Sequence, residues 1–87
     1  MTPEELKVAE DVMSILEPGD PVYIAKWSGS ESYSKRYFSG YDTTERLVRW
    51  KCRTSSYWRR CSGIDRVDAE RTCEAVLKLR RKQLKTA

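Results

Sequence analysis

Between Val22 and Cys61 the chain abandons helical spacing for strand-like alternation, and all nine of its aromatic residues fall inside that stretch: Tyr23, Trp27, Tyr33, Tyr37, Phe38, Tyr41, Trp50, Tyr57 and Trp58. Aromatic and β-branched residues at alternating positions form strands, because successive side chains then leave opposite faces of a sheet. Val22–Trp27 reads as a first strand, closed by the turn signal Ser28-Gly29-Ser30-Glu31-Ser32. In Tyr33–Tyr41 one face carries Tyr33, Lys35, Tyr37, Ser39 and Tyr41, and the other Ser34, Arg36, Phe38 and Gly40. After the turn Asp42-Thr43-Thr44, Arg46–Arg53 puts Val48, Trp50 and Cys52 on one side and Leu47, Arg49, Lys51 and Arg53 on the other. Thr54-Ser55-Ser56 turns again, and Tyr57–Cys61 is a short last strand.

Helical patterns flank this β section. Thr2 is a natural N-cap, Pro3 sits where a missing N–H costs nothing, and Glu5 completes a capping box. Leu6, Ala9, Met13 and Leu16 recur at helical spacing, with Val8, Val12 and Ile15 widening the stripe, until Pro18-Gly19-Asp20-Pro21 stops the helix. A longer helix is expected from about Asp65 to Leu84, with Asp65 as N-cap and Ala69, Cys73, Val76, Leu77 and Leu84 as its buried stripe. The fold expected is therefore α+β: an N-terminal helix, a three- to four-stranded antiparallel meander and a long C-terminal helix, with both helices on one sheet face. Eighty-seven residues form one domain, spanning 1–87, that buries only about 60–65% of the surface its unfolded chain exposes. Phe38 and Trp50, together with Trp27, are the expected core aromatics.

Several chemistries are excluded at this level. The chain has no histidine, the commonest general base and metal ligand. Cys52, Cys61 and Cys73 lack the paired spacing and fourth ligand of a structural zinc site, and their odd number does not make a disulfide framework. Gly29, Gly40 and Gly63 stand singly, so no phosphate loop is present. Asp65 and Asp68 are accounted for by capping. The expectation is a non-enzyme without cofactor or metal. No apolar run approaches the roughly 18 residues of a membrane span, and the acidic start is not a signal peptide, so a cytoplasmic protein is expected.

Charge is distributed unevenly. Residues 22–61 hold Lys26, Lys35, Arg36, Arg46, Arg49, Lys51, Arg53, Arg59 and Arg60 against Glu31, Asp42 and Glu45, a net +6 on a chain whose total is +4. The bland reading is that the rings fill a small core and the cations solvate an exposed face. The functional reading is a binding surface: Tyr33, Lys35, Tyr37 and Tyr41 on one strand, Arg49, Lys51 and Arg53 on the next, and Arg59 and Arg60 beyond. Cations track phosphates and flat rings stack bases, which suits nucleic acid or a nucleoprotein complex. Arg, Tyr and Trp also dominate protein–protein hot spots, which suits a protein partner. An open face or edge strand would equally admit a homodimer. The α-β-β-β-α order is reminiscent of the double-stranded-RNA-binding domain, but Asp65-Arg66-Val67-Asp68-Ala69-Glu70 stands where that family has its lysine cluster.

The strand Tyr37-Phe38-Ser39-Gly40 and the closing helix around Asp68-Ala69-Glu70 and Glu74-Ala75-Val76-Leu77 resemble those of small accessory proteins of phages and mobile elements, anti-CRISPR proteins among them. The resemblance covers roughly the last fifty residues and transfers no functional position. It implies a compact binding protein that regulates element genes or disarms a host defence complex by occluding or mimicking a binding surface. It also implies the host cytoplasm as its location.

Overall fold

The computed structural model describes residues 2–27, 29–52 and 59–86. Its order is α1 (Pro3–Ile15), β1 (Pro21–Ala25), β2 (Tyr33–Asp42), β3 (Leu47–Lys51), β4 (Arg59–Gly63), a short 3-10 turn (Ile64–Arg66) and α2 (Ala69–Thr86). The strands form one antiparallel sheet in the order β1-β2-β3-β4. This is the α+β meander between two helices that the sequence pattern predicts.

Thr2 caps α1 as expected, but the Glu5 carboxylate binds the Thr2 hydroxyl rather than the Thr2 backbone N–H that a full capping box uses. The Glu5 N–H donates to Thr2 Oγ1 at 3.2 Å, and the Thr2 hydroxyl donates to Glu5 Oε1 at 3.2 Å. Gly19 ends the following turn at φ +97°, a conformation glycine adopts without steric cost. Its N–H donates to the Phe38 carbonyl at 2.8 Å, so the turn is tied to β2 before β1 begins.

The sheet does not stay flat. The first half of β2 pairs with β1, from Tyr33↔Ala25 to Tyr37↔Pro21, and the second half pairs with β3, from Tyr37↔Lys51 to Asp42↔Leu47. A bulge between Phe38 and Gly40 separates the two halves and bends the strand. After β4 the 3-10 turn returns the chain to the outer edge of β1, where Val67 bridges Ile24 antiparallel. The segment after the meander thus curls back onto β1, while β1 and β4 themselves do not pair with each other, which gives the open sheet a barrel-like curl. Val22, Ile24, Phe38, Val48 and Trp50 fill its inner side with Ile64 and Val67, and Ala9, Val12, Met13 and Leu16 of α1 close over them.

The C-terminal helix follows the edge of β1 and adds Val76 to the core. Two backbone groups of Tyr23 that point away from β2 find partners there: its N–H donates to Thr72 Oγ1 at 3.0 Å and its carbonyl accepts from the Asp68 N–H at 3.0 Å. An edge strand is thereby covered. Three expectations need correction. The helix starts at Ala69 with Asp68 as cap, accepting from the Arg71 N–H at 3.0 Å, because Val67 is drawn into the β1 bridge. Leu77 and Leu84 are exposed, and the fully buried Thr72 takes a place in the core that its polarity concealed. Trp27, beyond the end of β1, is 63% exposed and is not a core residue.

Arg80 fixes α2 to the entry of β1, pairing with the buried Asp20 and, at 3.8 Å, with the exposed Glu17. Arg80 donates to Asp20 through Nη1 at 3.0 Å and Nη2 at 2.6 Å, and Asp20 also accepts from the Glu17 N–H at 2.7 Å. Burial alone would push the Asp20 carboxyl up. The Arg80 hydrogen bonds, the Glu17 N–H and the guanidinium charge outweigh it and hold the group below its usual 3.8. A depressed folded-state value means that this stabilisation is complete above pH 3.8 and disappears as pH falls through the lower folded value. Asp20→Asn should therefore lower the melting temperature at neutral pH and flatten its decline below about pH 4. Parallel acid titrations of the two proteins, followed by circular dichroism, check this.

Candidate functional site

On the outer side of the curled sheet, alternation and register bring together residues of β2 and β3. Tyr33, Lys35 and Tyr37 project from the first half of β2, Tyr37 stands opposite Lys51, and Gly40 stands opposite Arg49. Lys35, Arg49 and Lys51 are exposed, and Tyr33 and Tyr37 half-buried. Among the described residues both helices lie on the other side or along the β1 edge, and they border this surface at Tyr33, where Glu4 and Glu5 of α1 and Asp68 and Glu70 line a shared concavity. At its β1 end Arg71 of α2 reaches over two rings, 5.7 Å from the centroid of Tyr23 and 5.5 Å from that of Tyr33. Asp42 is the carboxylate that β3 and the second half of β2 present here. It is occupied as a turn cap, with Oδ1 accepting from the N–H groups of Thr44 and Glu45 at 2.9 and 3.2 Å.

Of the nine sequence-selected binding residues, five meet on this face: Tyr33, Lys35, Tyr37, Arg49 and Lys51. Arg60 pairs with Trp50 across β3 and β4 and so belongs to the inner phase of its strand, although it is exposed at the edge of the sheet. Arg53 and the side chain of Arg59 lie outside the described residues.

Tyr41 is a clear correction. The bulge inserts one residue after Phe38, so Tyr41 stands opposite Val48 on the inner face, and its phenol donates to Glu10 Oε2 on α1 at 3.0 Å. Burial, that hydrogen bond and the Glu10 charge push its pKa from 10.0 up to about 12. The neutral phenol is favoured in the folded state, so its contribution to stability is complete below pH 10 and fades as pH rises through about 12. Tyr41→Phe should be less stable than the parent at pH 8 and lose less stability on alkalinisation, by roughly a hydrogen bond to a charged partner, ~1.5–3 kcal/mol. Denaturant titrations at neutral and alkaline pH check both halves.

The pattern also passed over residues on the inner face. Arg36 shares the phase of Phe38, and a cation in phase with core residues was the available signal. It stacks on the Trp50 ring with its guanidinium carbon 5.2 Å from the centroid. Arg66, from the 3-10 turn, reaches back to β1 and donates to the carbonyls of Ala25 and Lys26. No pattern pointed to it, because the contact spans forty residues.

Among the described residues no group of three or more Cys, Asp or Glu side chains is placed to hold a metal ion. The three cysteines are free thiols. Cys61 stands opposite Arg49 and is exposed, whereas Cys52 and Cys73 are half-buried. Among the described residues no helix is long and apolar enough to cross a membrane. No protein-family model, curated protein or solved structure gives a significant match to this chain.

Proposed function

We propose that the protein is a small non-catalytic binding module that holds nucleic acid, free or within a nucleoprotein complex, on the outer face of its sheet. The observation that supports this reading is the open face itself, on which Lys35, Arg49 and Lys51 stand exposed among Tyr33 and Tyr37 while the nearby Asp42 is engaged as a turn cap. Alternating cations and rings on a strand suit a single strand, since the cations meet the backbone and the rings stack on bases without reading their sequence. A cytoplasmic setting, in a phage-infected host or its equivalent, fits such a partner.

The cluster of Arg71 with Tyr23 and Tyr33 favours a second reading. Preassembled Arg/Tyr groups are what protein hot spots are made of, and they suit an inhibitor of the phage accessory kind that covers a groove on a host defence complex.

Fluorescence anisotropy with labelled single- and double-stranded DNA and RNA, at low and near-physiological salt, separates these readings. Single-strand binding at micromolar or tighter concentration, with log K falling by about 0.7 per phosphate contacted as log salt rises, supports the first. Absence of binding at low salt overturns it and leaves the protein partner to be sought with the same face as bait.

A further inference from the structure

The return of the chain onto β1 leaves a second basic site on the opposite side of the sheet. A cavity of about 400 Å³ opens at the mouth of the curl, lined by Lys26, Arg36, Arg60 and Arg66 over a base formed by Trp50 and Ser62. Its described lining residues include no carboxylate. Arg36 and Arg66 bring two guanidinium groups to a concavity whose described lining carries no carboxylate, a field that favours an anion.

Two of the guanidinium groups are held in place. Arg36 is fixed by stacking on Trp50, whose indole N–H donates to Ser62 Oγ at 3.0 Å and thereby ties the ring to β4. Arg66 is anchored through Nε and Nη2 on the carbonyls of Ala25 and Lys26, which sets the plane of its guanidinium. Fixed, planar donors on two sides of a cavity lose little side-chain freedom on binding, the arrangement that favours tetrahedral oxyanions with several acceptor oxygens.

We infer that the mouth of the curl is a binding site for a phosphate monoester, presented either by a free nucleotide or by the terminal phosphate of a nucleic acid. The site lies on the inner side of the sheet, so it stands apart from the outer-face reading and fails or succeeds separately. A monoester has the advantage over a backbone diester of a second negative charge and a third terminal oxygen. Its second ionisation lies near pH 6, whereas arginine stays charged throughout, so binding should strengthen as pH rises through about 6.

The Trp50 indole N–H signal in two-dimensional NMR of the full chain, assigned with Trp50→Phe, reads the site directly. Inorganic phosphate and adenosine 5′-monophosphate should shift it saturably, and adenosine should not. Short oligonucleotides with and without a 5′-phosphate, tested on the Lys35→Ala/Arg49→Ala/Lys51→Ala protein to silence the outer face, identify the source. Tighter binding by the 5′-phosphorylated oligonucleotide than by the mononucleotide assigns the site to nucleic-acid ends, and equal binding assigns it to free nucleotides. Arg36→Gln should weaken phosphate binding about tenfold or more, as expected for losing a charge-assisted hydrogen bond, while its other resonances stay dispersed. Arg66 is a poorer test because it also anchors the closing turn. No shift with phosphate or the mononucleotide at high millimolar concentration overturns the assignment. So does equal binding of adenosine, or unchanged affinity in a folded Arg36→Gln protein.

Discussion

Trp50→Ala should unfold this protein at temperatures where the parent is intact. Trp50 is 8% exposed, faces Phe38 and Arg60 across its two neighbouring strands, lies under Arg36 and hydrogen-bonds Ser62. Truncation leaves a ring-sized cavity in a core that the bulged β2 and the short β4 cannot collapse to fill, a loss of about 3–5 kcal/mol. A domain of this size has only about 5–15 kcal/mol in total, and each kcal/mol moves its melting temperature by about 4–8 °C. A drop on the order of 20 °C is therefore expected by differential scanning calorimetry. Trp50→Phe keeps most of the packing and loses the indole hydrogen bond, so it should fall between the two. A melting temperature within a few degrees of the parent for the alanine protein would mean that the ring does not pack in the core.

Replacing Lys35, Arg49 and Lys51 together by Ala should have the opposite profile, with intact stability and lost binding. All three side chains are exposed, and no hydrogen bond or ion pair among the described residues engages them. Exposed substitutions of this kind change stability by about 0.5 kcal/mol or less each. Their loss should flatten the salt dependence of single-strand binding by about two units of log–log slope, ~0.7 for each phosphate no longer neutralised, and weaken binding by about a hundredfold or more at low salt. Anisotropy titrations at several salt concentrations, alongside a melting curve, give both numbers. Parent-like affinity with an unchanged slope would remove the outer face from consideration. A parent-like slope with weakened affinity would point to the Tyr33, Tyr37 and Arg71 side of the surface instead.

The elements and their order were legible in the chain because they rest on local physics. The N-cap at Thr2, the Pro18–Pro21 stop, and the alternation through Tyr33–Phe38 and Leu47–Lys51 each act within a few residues, and each appears in the structure as read. The outer cluster of Tyr33, Lys35, Tyr37, Arg49 and Lys51 was legible for the same reason, since strand phase alone sends those side chains to one face. The bulge after Phe38 was not legible. Strict alternation carries Tyr41 outward, and one inserted residue turns it inward onto Glu10. Trp27 was misjudged and Thr72 passed over, because composition ranks a tryptophan as core and a threonine as surface. Position decides otherwise: Trp27 lies beyond the end of its strand, and Thr72 has a backbone N–H of β1 to satisfy.

The sequence by itself therefore determined an α+β domain with a basic, tyrosine-bearing sheet face, through periodicities that each residue shares with its near neighbours. Only the tertiary structure decided that the sheet curls until Val67 meets Ile24. That return brings Arg66 from the far end of the meander to Ala25 and sets it across the mouth of the curl from the Arg36–Trp50 stack. Contacts between residues forty positions apart depend on how bulge, twist and turn add up along the whole chain, and no short window of the sequence contains that sum.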